Sequence, residues 1–72
     1  MTNIYYDINQ KLCEWIAAAS SNRDFALNHN IDEKTVRRIL DREYKISIGT
    51  LQKICEARNL SLSNFFELLE NA

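Results

Sequence analysis

Apolar residues recur every three or four positions along most of the chain, which is helical spacing. Ile8, Leu12, Ile16 and Ala19 form one stripe and predict a first helix from about Tyr5 to Ala19, widened by Trp15 beside it. Ser20, Ser21 and Asn22 then interrupt the pattern. Ser21 is a good N-cap, and Asp24 three positions later completes an approximate capping box for a short second helix. That helix turns Phe25 and Ala26 inward, with Leu27 or His29 at its margin. Asn30 ends it, because asparagine tolerates the left-handed backbone better than any residue but glycine.

Asp32 predicts the cap of a third helix, Glu33 to about Asp41, with Val36, Ile39 and Leu40 inside and Glu33, Lys34, Arg37, Arg38 and Asp41 outside. A polar connection, Arg42 to Ile46, follows. Ser47 caps a fourth helix with Ile48, Leu51, Ile54, Cys55 and Ala57 on its inner face, closed by Asn59. Ser61 caps a fifth, carrying Leu62, Phe65, Phe66, Leu68 and Leu69. Five short helices result. The second and third are joined by a turn of about four residues, the shape of a helix-turn-helix.

The chain has 72 residues, enough for one domain but not for a second core. With 46% hydrophobic and 26% charged residues it has the balance of a soluble globule, not of a disordered tail. The absence of proline and the single glycine argue against turn-dense all-β designs. No apolar run approaches the roughly 20 residues that cross a bilayer. Met1 to Asp7 lacks the character of a signal peptide, so a cytoplasmic location is expected. Cys13 and Cys55 make no disulfide framework, and with the lone His29 they match no zinc spacing. Two reduced, largely buried thiols are expected, and neither metal nor cofactor.

Net charge is −1, a mild argument against nucleic acid. Its distribution changes that reading. Between Asn22 and Lys45 stand six bases (Arg23, Lys34, Arg37, Arg38, Arg42, Lys45), interleaved with five acids (Asp24, Asp32, Glu33, Asp41, Glu43). The basic groups are thus gathered mid-chain.

From Phe25 to Phe66 the chain resembles the helix-turn-helix domains of the phage repressor and Cro type, the XRE-like family. The resemblance runs through Phe25-Ala26, then Asn30-Ile31-Asp32 at the turn, Thr35-Val36 and Ile39 in the third helix, and Ile46-Ser47. It continues in Leu51, Ile54, Cys55 and Ala57, and in Asn59-Leu60-Ser61-Leu62 through Phe65-Phe66. It covers about two thirds of the chain in one register. It implies an all-α, compact five-helix bundle of the lambda-repressor-like type: one domain over residues 1–72, with 21–42 as the helix-turn-helix and 61–70 as the C-terminal helix. Two departures stand out. Asn30 replaces the usual glycine of the turn. Leu40 replaces the acid that commonly ends the third helix, so an apolar contact with the first helix is expected where the family has an ion pair. On that view Leu40→Glu destabilises the fold.

The resemblance implies binding of double-stranded DNA by a small bacterial or phage transcriptional regulator, a repressor whose third helix reads the major groove. Base contacts carry over to Glu33, Lys34 and Arg38, with Asp32 and Arg37 next. Arg38 suits guanine O6 and N7, and Glu33, which only accepts, suits cytosine N4. Glu33 and Arg37 also stand i, i+4 and so can form a plain solvated pair worth roughly 0.2–0.5 kcal/mol. Phosphate contacts carry over to Ser21, Asn22 and Arg23 at the second helix, and to Arg42, Tyr44, Lys45 and Ser47 beyond the third. Tyr44 can equally pack on the domain surface.

Such readers usually bind as two-fold dimers on palindromic half-sites roughly 34 Å apart. The expected dimer surface lies at the chain ends: Leu68 and Leu69, with Phe65, on the fifth helix, or Ile4, Tyr5 and Tyr6 before the first. Leu62, Phe65 and Phe66 also suit the core, and Leu69 can merely cover its edge. The rival reading is a protein-interaction module, an antitoxin or adaptor, using the same charged face. An enzyme is not expected: one histidine, no glycine-rich phosphate loop, and no nucleophile beside a base by spacing. His29 reads as a partly exposed residue at a helix C-terminus. No membrane and no small-molecule ligand is expected.

Overall fold

In the computed structural model, which describes residues 3–43 and 45–70, every regular element is a helix. In chain order these are α1 (Ile4–Ala17), α2 (Asn22–Asn28), α3 (Glu33–Leu40), α4 (Ile48–Ala57) and α5 (Leu62–Glu70). No described helix is long and apolar enough to cross a membrane. The boundaries lie within two residues of the sequence expectation, the largest difference being the end of α1, at Ala17 and not Ala19.

The helices start where their caps dictate. Ser21, Ser47 and Ser61 accept hydrogen bonds through Oγ from the backbone N–H groups of Asp24, Thr50 and Asn64 at 3.0–3.1 Å. Asp32 accepts from Lys34 N at 3.3 Å, and Asn3 from Tyr5 N at 2.9 Å. Each such cap is worth about 1 kcal/mol.

The ends share one device. Asn30, Arg42 and Asn59 have φ of 55°, 63° and 60°, and each follows the last residue of α2, α3 or α4 by two. After each, the chain closes a pair of bonds of the Schellman type. Asn30 N donates to Leu27 O and Ile31 N to Ala26 O; Arg42 N donates to Ile39 O and Glu43 N to Arg38 O; Asn59 N donates to Glu56 O and Leu60 N to Cys55 O. Asn30 and Asn59 were legible as turn residues; Arg42 was not, because arginine carries no preference for that backbone. The one glycine, Gly49, sits inside α4.

These turns fold the helices onto one core of Ile8, Leu12, Ile16, Phe25, Ala26, Val36, Ile39, Leu51, Ile54, Cys55 and Phe65. Burying each large member contributes about 1.5–3 kcal/mol. α2 packs on α3, α1 on α3 and α5, and α4 on α5. The radius of gyration, 11.4 Å, matches the roughly 11 Å of a fully collapsed chain this long.

Five expectations are corrected. Ala57, expected on the inner face of α4, is exposed at the last residue of that helix. Leu40 is 39% exposed and does not join the buried core. Ile48 is 63% exposed, because it is the first residue of α4, where the helix has not yet turned its stripe inward. His29 is only 7% exposed. Its ring stacks on Phe25 at 3.8 Å, and Nδ1 donates to Phe25 O at 2.7 Å, since a carbonyl can only accept. Nε2 accepts from Arg58 Nη1 at 3.0 Å. Phe65, offered as a dimer contact, is 0% exposed and forms the centre of the core, against the Trp15 edge at 5.6 Å. It has no surface to give a second chain. Leu69 is half-buried against the core, and Leu68 is exposed.

Candidate nucleic-acid interface

α3 is short, eight residues, and strongly two-sided. Val36 and Ile39 bury one side in the core, and this fixes the rotation of the rod. Lys34, Arg37 and Arg38 are thereby turned to solvent, with Glu33 and Thr35 half-buried at the margins. α2 packs on this rod, and the turn at Asn30 and the cap at Asp32 join the two.

Asn9 anchors the far end of the rod. Its amide is 3% exposed, and Nδ2 donates to Ile39 O at 2.8 Å. Cys13 Sγ lies 3.5 Å from Asn9 Oδ1 and 3.7 Å from Ile39 O. Burial pushes the Cys13 thiol above its ordinary range, and the positive charge of Arg42 pulls the other way. Where the sequence suggested Leu40 against the first helix, the connection is a side-chain amide on the last turn of α3. The only sequence signal was one asparagine next to an apolar stripe, a pattern shared by many surface asparagines.

The candidate base-reading groups divide by what already holds them. Asp32 is spent on the cap. Glu33 Oε2 pairs with Arg37 Nη2 at 2.9 Å, the i, i+4 pair that the spacing allowed. Arg38 Nε lies 3.9 Å from Glu43 Oε2, both side chains being exposed. This proximity follows from the backbone. Arg38 and Glu43 bracket the Schellman turn, where an apolar pair frequently meets; here the two positions hold opposite charges. Lys34 has no carboxylate within ion-pair distance among the described residues.

The candidate phosphate-binding groups fall at two places. Ser21 caps α2, Asn22 is its first residue and Arg23 its exposed second. At the other, a cleft of about 190 Å³ gathers Arg38, Lys45, Ser47 and Thr50, with Glu43 also on its wall. Ser47 Oγ donates to Thr50 Oγ1 at 2.9 Å there. Arg42 is exposed beside it in sequence, its backbone committed to the turn. Tyr44 lies outside the described residues. Lys34, Arg37 and Arg38 thus form an exposed cationic ridge, interrupted by Glu33 and Glu43, with the start of α4 beside Arg38 in the cleft. No protein-family model matches this chain, and no curated protein and no solved structure is significantly similar to it.

Behind the ridge is a cluster that the sequence did not announce. Arg58, the C-cap of α4, lays its guanidinium over Trp15 at 4.1 Å while it donates to His29. Burial pulls the pKa of the Arg58 guanidinium below the usual arginine range. One side chain thus ties α4 to α1 and to the end of α2. These three residues are 14 to 43 positions apart in the chain, and no local pattern marks them as neighbours.

Proposed function

We propose that this chain is a small regulator of transcription, of the repressor and Cro helix-turn-helix class, that recognises double-stranded DNA by placing α3 in the major groove. The observation that carries the reading is the orientation of α3. Val36 and Ile39 point into the core while Lys34 and Arg38 project from an exposed face short enough to enter one groove. Lys34 and Arg38 are the principal base readers. Arg37, held by Glu33, is the buttressed third, since a carboxylate at 2.9 Å fixes its guanidinium plane. The starts of α2 and α4, with Arg23 and Lys45, grip phosphates on either side.

Selection of bound sites from a random duplex pool tests this. Enrichment of a guanine-containing site is the expected result. Arg38→Ala should then weaken that site by about 1–3 kcal/mol and relax one base position, with little effect on random DNA. No enrichment at low salt would overturn the proposal. A palindrome among the selected sites would report two copies on one duplex, and a lone half-site one.

A second reading has one observation in its favour. Glu33 and Glu43 partly neutralise the ridge, which suits a protein partner with mixed charge better than a phosphate backbone. Absence of DNA selection, together with a stable protein complex lost on Lys34→Glu, would establish it.

A further inference from the structure

A second surface, where α1 meets α5, has the opposite character. Its groove, about 410 Å³, has an apolar floor of Ile4, Phe66 and Leu69, and Asp7 and Glu70 stand on its walls. Ile4 is 47% exposed, and Tyr5, Tyr6 and Leu68 add exposed apolar area on the same two helices. The charge is one-sided. α1 and α5 together hold Asp7, Glu14, Glu67 and Glu70 against a single base, Lys11, and Lys11 is already paired with Glu14 at 3.1 Å. α5 contains no base at all.

We propose that this groove docks a basic amphipathic segment of another protein, its apolar side chains on Ile4, Phe66 and Leu69 and its lysines or arginines facing Asp7 and Glu70. Charge decides between this occupant and a second copy. A two-fold pairing through the groove brings the carboxylates Asp7 and Glu70 of one chain to those of the other, with no unpaired cation on either helix to separate them. A cationic helix meets complementary charge on the walls and apolar surface on the floor, the usual helix-in-groove arrangement. The proposal is independent of DNA reading by α3.

The test uses the full chain and two labelled 18-residue helical peptides that share a leucine stripe at i, i+3, i+4 and i+7, one with lysines on the polar face and one with glutamates. Fluorescence anisotropy in 50 mM salt should show the lysine peptide binding at least tenfold more tightly, the difference shrinking as salt rises. Asp7→Asn with Glu70→Gln, and separately Ile4→Ser, should each weaken it about tenfold, while Glu56→Gln on α4 leaves it unchanged. Amide chemical-shift changes should centre on residues 4–7 and 66–70. Equal affinity for both peptides, or equal loss with Glu56→Gln, would overturn the proposal. So would sedimentation showing that the chain dimerises and that Ile4→Ser abolishes the dimer, which would make a second copy the occupant.

Discussion

The Asn9 amide donates to the Ile39 carbonyl at 2.8 Å, joining the first helix to the last turn of the third across 30 positions of chain. Both partners are buried, so neither recovers water when the other is removed. Asn9→Ala should cost about 1–3 kcal/mol of unfolding free energy, read from urea denaturation. The loss should be larger than for Gln10→Ala on the exposed side of the same helix. A loss below about 0.5 kcal/mol would mean that this bond does not hold α3 in place.

Leu40 occupies the neighbouring position, and there the expectation reverses. With 39% of its surface in water, Leu40→Glu introduces a carboxylate that stays solvated. Thermal unfolding should move by no more than the equivalent of about 0.5 kcal/mol, the range of ordinary surface substitutions. A fall of several kcal/mol would restore the inward contact that the sequence suggested.

Arg42 pays for the turn after α3 with a left-handed backbone, φ 63°. Arg42→Gly should therefore stabilise the fold by up to about 1 kcal/mol, and Arg42→Val should destabilise it by more than that, since a β-branched residue resists positive φ. Denaturant midpoints of the three proteins give the ordering directly. If the side chain also meets a phosphate, Arg42→Gly will weaken DNA binding while it raises stability, and it will make the salt slope shallower by about one unit.

Glu43 stands 3.9 Å from the Arg38 guanidinium and on the wall of the phosphate-side cleft. Glu43→Gln removes a charge that repels the backbone of any duplex and releases Arg38. DNA affinity should rise several-fold at low salt, in gel shifts over a salt series, with the gain fading as ionic strength screens it. Unchanged or weaker binding would place Glu43 away from the duplex.

The two thiols give a test through pH. Burial raises the Cys13 and Cys55 thiols above their ordinary value of 9.0, while the unfolded chain ionises them at that value. Below about pH 9 both states keep the proton and the thiols add no pH dependence. As pH rises past 9 the unfolded state loses protons first, so stability falls. Unfolding free energies between pH 8 and 10.5 should therefore decline less steeply in a Cys13→Ala, Cys55→Ala double variant than in the wild type.

The helices and most of their boundaries were legible because the relevant signals are local. The stripe at Ile8, Leu12 and Ile16, the serine caps and the two turn asparagines each act within four or five residues. The outward face of α3 was legible for the same reason: period fixes which of Glu33 to Leu40 share a side. Leu40 and Ile48 were misjudged because period assigns a face but not a depth. Both lie at helix ends, where the stripe runs past the core. His29, and Phe65 as a dimer contact, were misjudged in the opposite sense, since part of what covers them comes from other helices, whereas Phe65 as a core residue was read correctly.

Taken alone, the order of residues determined that this chain makes five short helices and which charged groups stand on the third. Tertiary structure decided which charges remain available, by setting Glu33 on Arg37 and by bringing Glu43 round to Arg38 through the turn at Arg42. It also decided what ties the helices together, the Asn9 bond from α1 to α3 and the Arg58 bridge between Trp15 and His29. The physical reason is range. Helix propensity, capping and periodicity are settled between near neighbours, whereas burial and charge pairing depend on which distant side chains arrive when the helices pack.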